Sequence, residues 1–283
     1  MNVEAPTAVN APLKHPLAPA SPEAAVAIED LAFVVNDRRG RRTEIISGVN
    51  LRLEDREFVS IVGPSGCGKS TLLNFISGLL PVQSGRVSLF GEAPGGSTSV
   101  GYMFQQHGLL PWRTIIENVE LGLELAGVAK PVRQEKAHVL LAELGLGGFE
   151  EHYPNELSGG MRQRASLART LIADPAIILM DEPFGALDAQ TKVLMQELFS
   201  RYWNDHRKTV LFVTHDIAEA IALSDRVVVM SARPGRITAE YRVDLERPRD
   251  FNHLRADQRF NALHEEIWSE IRREATISMR GRT

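Results

Sequence analysis

The segment from Gly63 to Ser70 has the residue types and the spacing of a phosphate-binding loop. It reads Gly-Pro-Ser-Gly-Cys-Gly-Lys-Ser and matches the pattern G-x-x-x-x-G-K-[ST] between a predicted strand and a predicted helix. Glycines allow backbone N–H groups to surround phosphate oxygens, and the helix N-terminus attracts the same negative charge. Lys69 can reach the β- and γ-phosphates, and Ser70 can ligate Mg²⁺. The residues predicted to bind nucleotide here are Gly63, Pro64, Ser65, Gly66, Cys67, Gly68, Lys69, Ser70 and Thr71.

This loop alone defines only a broad class, because kinases, GTPases and motor proteins share it. A glycine-rich turn with a chance lysine is the alternative, and the strand and helix on either side argue against it. The sequence has no Asn-Lys-x-Asp motif for reading guanine, which favours ATP over GTP. We interpret Cys67 as a small filler residue, although a helix N-terminus can also lower the pKa of a thiol and make it reactive.

Two adjacent acids, Asp181 and Glu182, end an apolar segment that is predicted to be a buried parallel strand. An aspartate at the carboxyl end of such a strand, near the phosphate loop, suits a Mg²⁺ contact, usually through water. Glu182 can then polarise the attacking water as a general base. Two solvated acids at a strand end are the ordinary alternative, and the ligand-binding edge of the sheet disfavours it.

His215 follows another apolar segment, TVLFVT, and is predicted to reach the same edge of the sheet. A histidine there can hydrogen-bond the γ-phosphate and hold the water and Glu182 in place. An isolated histidine is more often structural. The position that it shares with Asp181, after a sheet strand, favours the functional role.

A second anion-binding helix start is predicted at Ser158, Gly159 and Gly160. Ser158 is a natural N-cap, and the two glycines expose backbone N–H groups. An ordinary capped helix is the alternative. Because the chain has only one lysine-bearing phosphate loop, we expect this segment to close the ATP site of a second copy in a dimer.

The elements that must position these residues are visible as hydrophobic patterns. Strands are predicted at 26–35, 49–53, 57–62, 86–91, 100–105, 176–181, 209–214 and 226–231. Helices are predicted after Thr114, where Thr-Ile-Ile-Glu fits a capping box, and at 132–144 and 158–173. Near the C-terminus, Phe260, Leu263, Ile267 and Ile271 share one helical face, which favours a helix packed on its own domain.

This order of elements predicts an α/β fold with a P-loop core. The core has a mainly parallel sheet. We also expect an antiparallel β subdomain and an inserted helical subdomain at about 106–170. We expect the ATPase domain to span 26–245 and a helical extension to span 246–283. Residues 1–25 are rich in Ala and Pro without a period, which predicts a disordered tail.

Composition excludes several classes of protein. The 283 residues include 43% hydrophobic and 24% charged residues, as in ordinary globular proteins, and the net charge of −4 gives no sign of nucleic-acid binding. No apolar run approaches the roughly 18–20 residues of a membrane-spanning helix. The N-terminal segment lacks the apolar stretch of a secretory signal. A single cysteine allows no intrachain disulfide, which fits a reducing cytoplasm.

Together these motifs resemble the ABC transporter ATPase family over about residues 26–240. Residues 63–70 are similar to its Walker A motif, ILMDEP to Walker B with the catalytic glutamate, and LSGGM to the signature motif. Residues 186–188 resemble the D-loop and residues 214–216 the H-loop. Gln105 resembles the Q-loop glutamine, which the resemblance implies to touch the Mg²⁺ site and respond to the membrane partner. The implied catalytic residues are Glu182, His215 and Gln105, and the implied Mg²⁺ ligands are Ser70, Gln105 and Asp181.

A finer resemblance is to importer ATPases for nitrate, sulfonate, taurine and related small anions. It rests on residues 109–114, on 230–235 and on Arg247-Pro248-Arg249. It implies ATP and Mg²⁺ as cofactors and a homodimer beneath two transmembrane permease subunits. It also implies a solute-binding protein in the complex and a peripheral position on the cytoplasmic face of the inner membrane.

Two rival functions share these motifs. Soluble ABC ATPases of translation or DNA repair usually carry two cassettes, long coiled coils or zinc modules, and this sequence contains none of them. A non-catalytic regulatory cassette is the second rival. The presence of Lys69, Glu182 and His215 argues against it.

Adenine recognition is where the sequence departs from the family pattern. The family usually has an aromatic residue on the first strand that stacks on adenine, and the matching position here is Val35. Phe33 lies two residues earlier, on the same face of an ideal strand. We therefore expect that either Phe33 substitutes for the missing ring or the nucleotide is held mainly by its phosphates.

Overall fold

The computed structural model describes residues 24–36, 40–251 and 253–280. Its strands, numbered in chain order from β1 to β9, are Val26–Asn36, Arg42–Leu53, Phe58–Val62, Ser84–Leu89, Val100–Met103, Ile177–Asp181, Thr209–Val213, Arg226–Met230 and Ile237–Arg242. Its helices, from α1 to α8, are Lys69–Ile76, Ile115–Val119, Leu121–Leu125, Lys130–Glu143, Gly159–Leu171, Ala189–His206, Ile217–Leu223 and Gln258–Arg280.

A six-stranded sheet in the order β5-β6-β7-β3-β8-β9 forms the centre of the fold. All neighbouring strands pair in parallel except β8 and β9, which are antiparallel. Every residue of β3, β7 and β8 is buried, as the apolar runs predict for strands covered on both faces. Since parallel strands end at one edge, the sheet brings the phosphate loop, Glu182 and His215 together.

The second sheet is antiparallel, with the order β2-β1-β4. The ladder between β1 and β2 shifts register at three places, so the strands do not keep an ideal alternation of faces. Gly85 in β4 passes directly against Asp30, and a Cβ atom at Gly85 would lie 2.4 Å from the Asp30 carbonyl oxygen. Only glycine therefore fits at this crossing.

The helical part of the chain, from α2 to α5, lies between β5 and β6 in the sequence. Thr114 caps α2 with the predicted capping box, because its side chain accepts from the Glu117 N–H and the Glu117 carboxylate accepts from the Thr114 N–H. Asn118 is fully buried and bonds the backbone of Leu110 and Arg113, which ties the preceding loop to this helix.

Helix α8 packs against α7, β8 and β9, so the prediction of a helix that covers its own domain is confirmed. Phe260 and Ile267 are buried, and Leu263 and Ile271 pack against the same cluster of apolar side chains. None of the described helices is both long and apolar enough to cross a bilayer.

The eight predicted strands are all present, and the main differences from the prediction concern β2, β9 and β5. β2 begins at Arg42 rather than at 49, and β9 was not predicted. The predicted strand at 100–105 ends at Met103. A disordered tail was predicted at 1–25, and its residues 1–23 lie outside the part of the chain that the structure describes. Ala24 and Ala25 are buried, which places them against the folded domain.

Candidate ATP-binding and hydrolysis site

The phosphate loop joins the end of β3 to the start of α1. Gly68 precedes α1 with φ 105°, a left-handed conformation that glycine adopts without strain. Lys69 is buried at 6% exposure, and its Nζ donates to the carbonyl oxygens of Gly63 at 2.8 Å and Pro64 at 3.1 Å. The ammonium group is thus held within the loop that must surround phosphate.

Cys67 is buried beneath this loop, and its Sγ lies 3.8 Å from Lys69 Nζ. Burial raises the pKa of the Cys67 thiol, and the nearby Lys69 charge only partly opposes the effect. The suggestion that the helix N-terminus lowers this pKa is therefore wrong. The interpretation of Cys67 as a filler residue agrees with its burial.

Ser70 and Asp181 approach each other across the sheet edge, where the Ser70 hydroxyl donates to the Asp181 carboxylate. Burial raises the pKa of Asp181, and the charge of Glu182 adds to it, while the Ser70 hydrogen bond and the Lys69 charge lower it. One hydroxyl and one carboxylate are a donor set that fits Mg²⁺, which commonly takes one or two protein oxygens together with substrate phosphates.

Glu182 follows β6 in a left-handed backbone conformation with φ 45°, which is unusual for a residue other than glycine. Its N–H donates to the Val213 carbonyl oxygen at 2.9 Å, and its own carbonyl accepts from Gly185 at 3.1 Å. These bonds fix the turn that directs the carboxylate to the sheet edge. Strained backbone of this kind is found most often at functional sites.

His215 meets Glu182 as the sequence predicts. Its Nδ1 lies 3.1 Å from Glu182 Oε2, and its side chain is 60% exposed against 22% for Glu182. The histidine therefore holds the acid on one side and faces open space on the other. A group in that space would contact both the imidazole and the carboxylate.

A buried polar cluster behind His215 was not predicted. The Thr214 hydroxyl donates to the Glu219 carboxylate, which also accepts from Gln196 at 2.8 Å and lies 3.3 Å from Lys192 Nζ. Lys192 also pairs with Asp216 at 2.8 Å. The residues on both sides of His215 are thus attached to α6. The spacing of Asp216, which caps α7, and Glu219 was the one local signal for part of this cluster.

Gln105 lies two residues beyond β5, whose last residue Met103 pairs with Met180 of β6. This register places Gln105 at the same edge of the sheet as Asp181. Its side chain is exposed, and the described structure records no hydrogen bond from it to the site. The structure therefore places Gln105 at the sheet edge that holds Asp181, but its side chain does not contact the Ser70–Asp181 pair among the described residues.

Ser158 caps α5, and its hydroxyl accepts from the Met161 N–H at 3.3 Å. Ser158 and Gly159 are exposed, and a Cβ atom on Gly159 would meet nothing within 4 Å. Gly160 faces inward, because a Cβ there would lie 2.5 Å from Thr191 Cγ2. The helix start is consequently supported on one side and open on the other.

The segment after β8 braces the phosphate loop, and sequence reasoning missed this contact. Arg233 donates through Nε at 3.3 Å and Nη2 at 3.1 Å to the Gly66 carbonyl oxygen. Gly235 approaches so closely that a Cβ atom there would lie 2.0 Å from the Cys67 carbonyl oxygen. These partners are over 160 residues apart in sequence, and no local pattern connects them.

On the first strand, Val35 is 38% exposed, whereas the Phe33 ring packs edge-on against buried Phe75 with centroids 5.1 Å apart. The register shifts of β1 around Phe33 break the ideal alternation that placed the two residues on one face. Phe33 is therefore used in packing, which argues against its role as an adenine-stacking ring. Val35 offers only an apolar surface.

Comparison with known proteins agrees with this geometry. The ABC transporter family model matches residues 46–185. An uncharacterized ABC transporter ATP-binding protein of Methanocaldococcus jannaschii is 51% identical over 75% of this chain and 79% of its own length. The taurine import ATP-binding protein TauB of Rhizobium johnstonii is 47% identical over 81% and 90%. A solved dimeric ATP-binding cassette in a post-hydrolysis state with ADP and Pi aligns with a TM-score of 0.70 at 32% identity, covering 78% of this chain and all of that one.

Proposed function

The chain belongs to the ABC transporter ATPase family, and we propose that it is the subunit that hydrolyses ATP to energise an importer. The observation that carries the proposal is the contact of His215 with Glu182 at the sheet edge that also holds Lys69 and the Ser70–Asp181 pair. These residues supply side chains suited to phosphate binding, Mg²⁺ binding and water activation, which supports the proposal.

The roles of the side chains follow from their positions. Lys69, with the loop amides, would stabilise charge on the β- and γ-phosphates. Ser70 and Asp181, with Gln105, would hold Mg²⁺, which neutralises phosphate charge when it is bound. Glu182 would accept the proton of the attacking water, and His215 would keep that carboxylate aligned through its 3.1 Å contact. Catalysis would thus be mostly positioning and electrostatic stabilisation.

We also propose that two copies of the chain close face to face over ATP. Ser158 and Gly159 lie exposed at the start of α5, Gly160 faces inward, and the lysine-bearing phosphate loop of the chain is a separate segment. A helix N-terminus of this kind favours phosphate oxygens. In a dimer, this segment of one copy would cover the nucleotide held by the phosphate loop of the other. The solved dimeric cassette that resembles this chain supports such an arrangement.

The wider assembly is proposed from the relatives. TauB proteins are named for taurine import, so we infer that this chain serves an importer of taurine, a sulfonate, nitrate or a related small anion. Two transmembrane permease subunits and a solute-binding protein would complete it, with the ATPase on the cytoplasmic face of the inner membrane and no nucleic acid involved. Within the chain we propose an ATPase domain at 26–245, with a helical subdomain at about 106–170, and an extension at 246–283.

Deletion of the gene in its own host tests the importer function. Uptake of labelled taurine, an alkanesulfonate and nitrate is measured in the deletion strain and after restoring the gene. We expect uptake of one of these solutes to fall and to return with the wild type but not with Glu182→Gln. Glu143→Gln, an exposed acid at the end of α4, is the matched control and should restore uptake.

The outcomes separate the parts of the proposal. If uptake of all three solutes is unaffected by the deletion, the proposed solute class is wrong. If Glu182→Gln restores uptake as well as the wild type does, the proposed energising role of hydrolysis is wrong.

A further inference from the structure

A cavity of about 400 Å³ lies at the opposite end of α6 from the proposed ATP site. Helix α6 starts beside Asp188, near the signature helix, and the cavity lies between its last turns and residues 247–251. Pockets that bind small molecules typically have volumes of about 300–1,000 Å³. The cavity therefore has room for a small metabolite, and no role proposed above uses it.

Positive charge dominates the wall of this cavity. Arg201, Arg207, Arg247 and Arg249 line it, against two acids, Glu197 and Asp205. The arginines also repel one another. Burial and the charge of Arg247 lower the pKa of Arg249 to about 9. Burial lowers the pKa of Arg247, Asp225 partly opposes this, and the charge of Arg207 lowers it further.

The scaffold holds these cations in place. Arg247 and Arg207 stack on the buried Trp203 ring at 4.2 Å and 4.6 Å from its centroid. Arg247 also bonds Asp225 at 2.9 Å. Arg249 donates to the carbonyl oxygens at the end of α7, among them that of Ser224 at 2.7 Å. Arg207 and Arg249 are thus preorganised by an aromatic ring and by carbonyl groups, whereas Arg247 is also paired with Asp225.

Hydrogen-bonding capacity also remains unused at this wall. Arg249 is only 7% exposed, and its Nε has no hydrogen-bond partner among the described residues. A buried donor without a partner is costly, so a ligand with acceptor oxygens would be stabilised here.

We propose that this cavity is a binding site for a small oxyanion: a carboxylate, sulfonate, sulfate or phosphate group contacted by Arg201, Arg207 and Arg249. Planar guanidinium groups match the paired oxygens of such anions. The site is separate from the phosphate loop and does not depend on the proposed transport function.

Calorimetric titration of the full chain tests the proposal. The protein is first saturated with Mg·ADP, so that the phosphate loop is filled and cannot bind the probe. Sulfate, phosphate, succinate and 2-aminoethanesulfonate are then titrated separately at constant ionic strength. We expect saturable binding of at least one of them, and the probe that binds most tightly identifies the preferred head group.

Two double variants decide where the anion binds. Arg201→Gln with Arg207→Gln should weaken binding about tenfold or more, because charge-assisted hydrogen bonds are lost. Arg52→Gln with Arg86→Gln removes the same charge from the antiparallel sheet and should leave affinity within about twofold, since long-range charge is screened. ADP affinity reports that both variants are folded. No saturable binding to the wild type, or equal weakening in the two variants, overturns the proposal.

Discussion

Two helix starts in this protein both suit anion binding, but their surroundings differ. Both α1, at Lys69, and α5, at Gly159, follow a glycine-rich or serine-capped turn suited to anions. The start of α1 is buried, and its lysine is bonded to its own loop. The start of α5 is exposed, and its cap, Ser158, bonds only its own helix.

The difference is the basis for our proposal that a second copy of the chain completes the nucleotide site. The loop before α1 is braced by Arg233 and Gly235 from the segment after β8, the strand that pairs with β3. The segment before α5 is braced locally, because the Arg162 guanidinium donates to the Leu157 carbonyl oxygen, and Ser158 and Gly159 stay exposed. An exposed helix start that suits phosphate, apart from the chain's own phosphate loop, is the observation behind the proposal that a second copy supplies the nucleotide.

Loss of the general base should have the largest effect. Glu182→Gln keeps the shape of the side chain but cannot accept a proton, so we expect turnover to fall about 10²–10⁴-fold. ATP affinity should change little, since Lys69 and the loop amides are intact. Steady-state hydrolysis and nucleotide titration of the purified protein measure the two quantities. Turnover within a fewfold of the wild type would exclude Glu182 as the base.

Lys69→Ala should instead act on binding. Removal of its charge from the β- and γ-phosphates should weaken ATP affinity by roughly tenfold to a hundredfold, the usual cost of a hydrogen bond to a charged group. Lys208→Ala is a matched control, because Lys208 pairs with Asp174 at 2.7 Å on the surface. An affinity equal to that of the wild type would contradict the phosphate-loop assignment.

How far the sequence predicts this site depends on whether the signal is local. The phosphate loop, the Thr114 capping box and the Ser158 cap follow from patterns within a few residues, and the structure has the predicted helix starts and caps. The parallel strands of the central sheet were predicted because buried parallel strands are continuous apolar runs, and strands at 26–35 and 49–53 because their residues alternate. Strand β9 was missed although Ile237–Arg242 alternates apolar and polar residues as an edge strand does, and it pairs with β8 alone.

The missed parts of the site are contacts between distant segments. The ion pair of Lys192 with Asp216 joins α6 to the residue after His215, and the Arg233 bond to Gly66 joins two loops. Neither can be read from spacing, since tertiary packing decides which side chains meet. The packing of Phe33 could not be predicted for a related reason, because register shifts in the β1 ladder change which face its ring occupies.

Substitution of Ser158 tests whether the start of α5 contacts the nucleotide site of a second copy. In the Glu182→Gln background, which should hold ATP without hydrolysing it, we expect ATP to convert monomer to dimer. Adding Ser158→Arg should abolish that dimer, because a long cationic side chain would fill the open side of the helix start. Size-exclusion chromatography with light scattering measures the fractions.

Ser158→Thr is the control for this experiment, since threonine keeps a capping hydroxyl. It should dimerise as the parent protein does. Equal dimer fractions for Ser158→Arg and the parent would show that this helix start does not lie at an interface with a second copy.

The cluster behind His215 should have a smaller effect on turnover. Burial raises the pKa of Asp216, but the hydrogen bonds from Lys192 and from the backbone outweigh burial and hold this pKa below its ordinary value. Lys192→Met leaves Asp216 and buried Glu219 without their cation. We expect turnover to fall severalfold with unchanged ATP affinity, and Lys192→Arg to recover part of the loss. Full activity in Lys192→Met would show that the cluster does not position His215.

The smallest expected effect concerns adenine and would sharpen the view that the phosphates dominate binding. Val35 is 38% exposed and offers no ring, and Phe33 is engaged with Phe75. A tyrosine at position 35 could stack on the base, an interaction worth ~1–3 kcal/mol in nucleic-acid grooves. We expect Val35→Tyr to tighten ATP binding severalfold and to leave maximal turnover nearly unchanged, because the base lies far from the γ-phosphate.

Measurement of ATP and GTP affinity and turnover for the wild type, Val35→Tyr and Phe33→Ala completes this test. Phe33→Ala should lower thermal stability, because it removes a ring from the core contact with Phe75, and should leave nucleotide affinity almost unchanged. Weak discrimination between ATP and GTP by the wild type would agree with binding through the phosphates. A large loss of ATP affinity in Phe33→Ala, with no gain in Val35→Tyr, would mean that Phe33 leaves its packed position to stack on adenine when nucleotide binds.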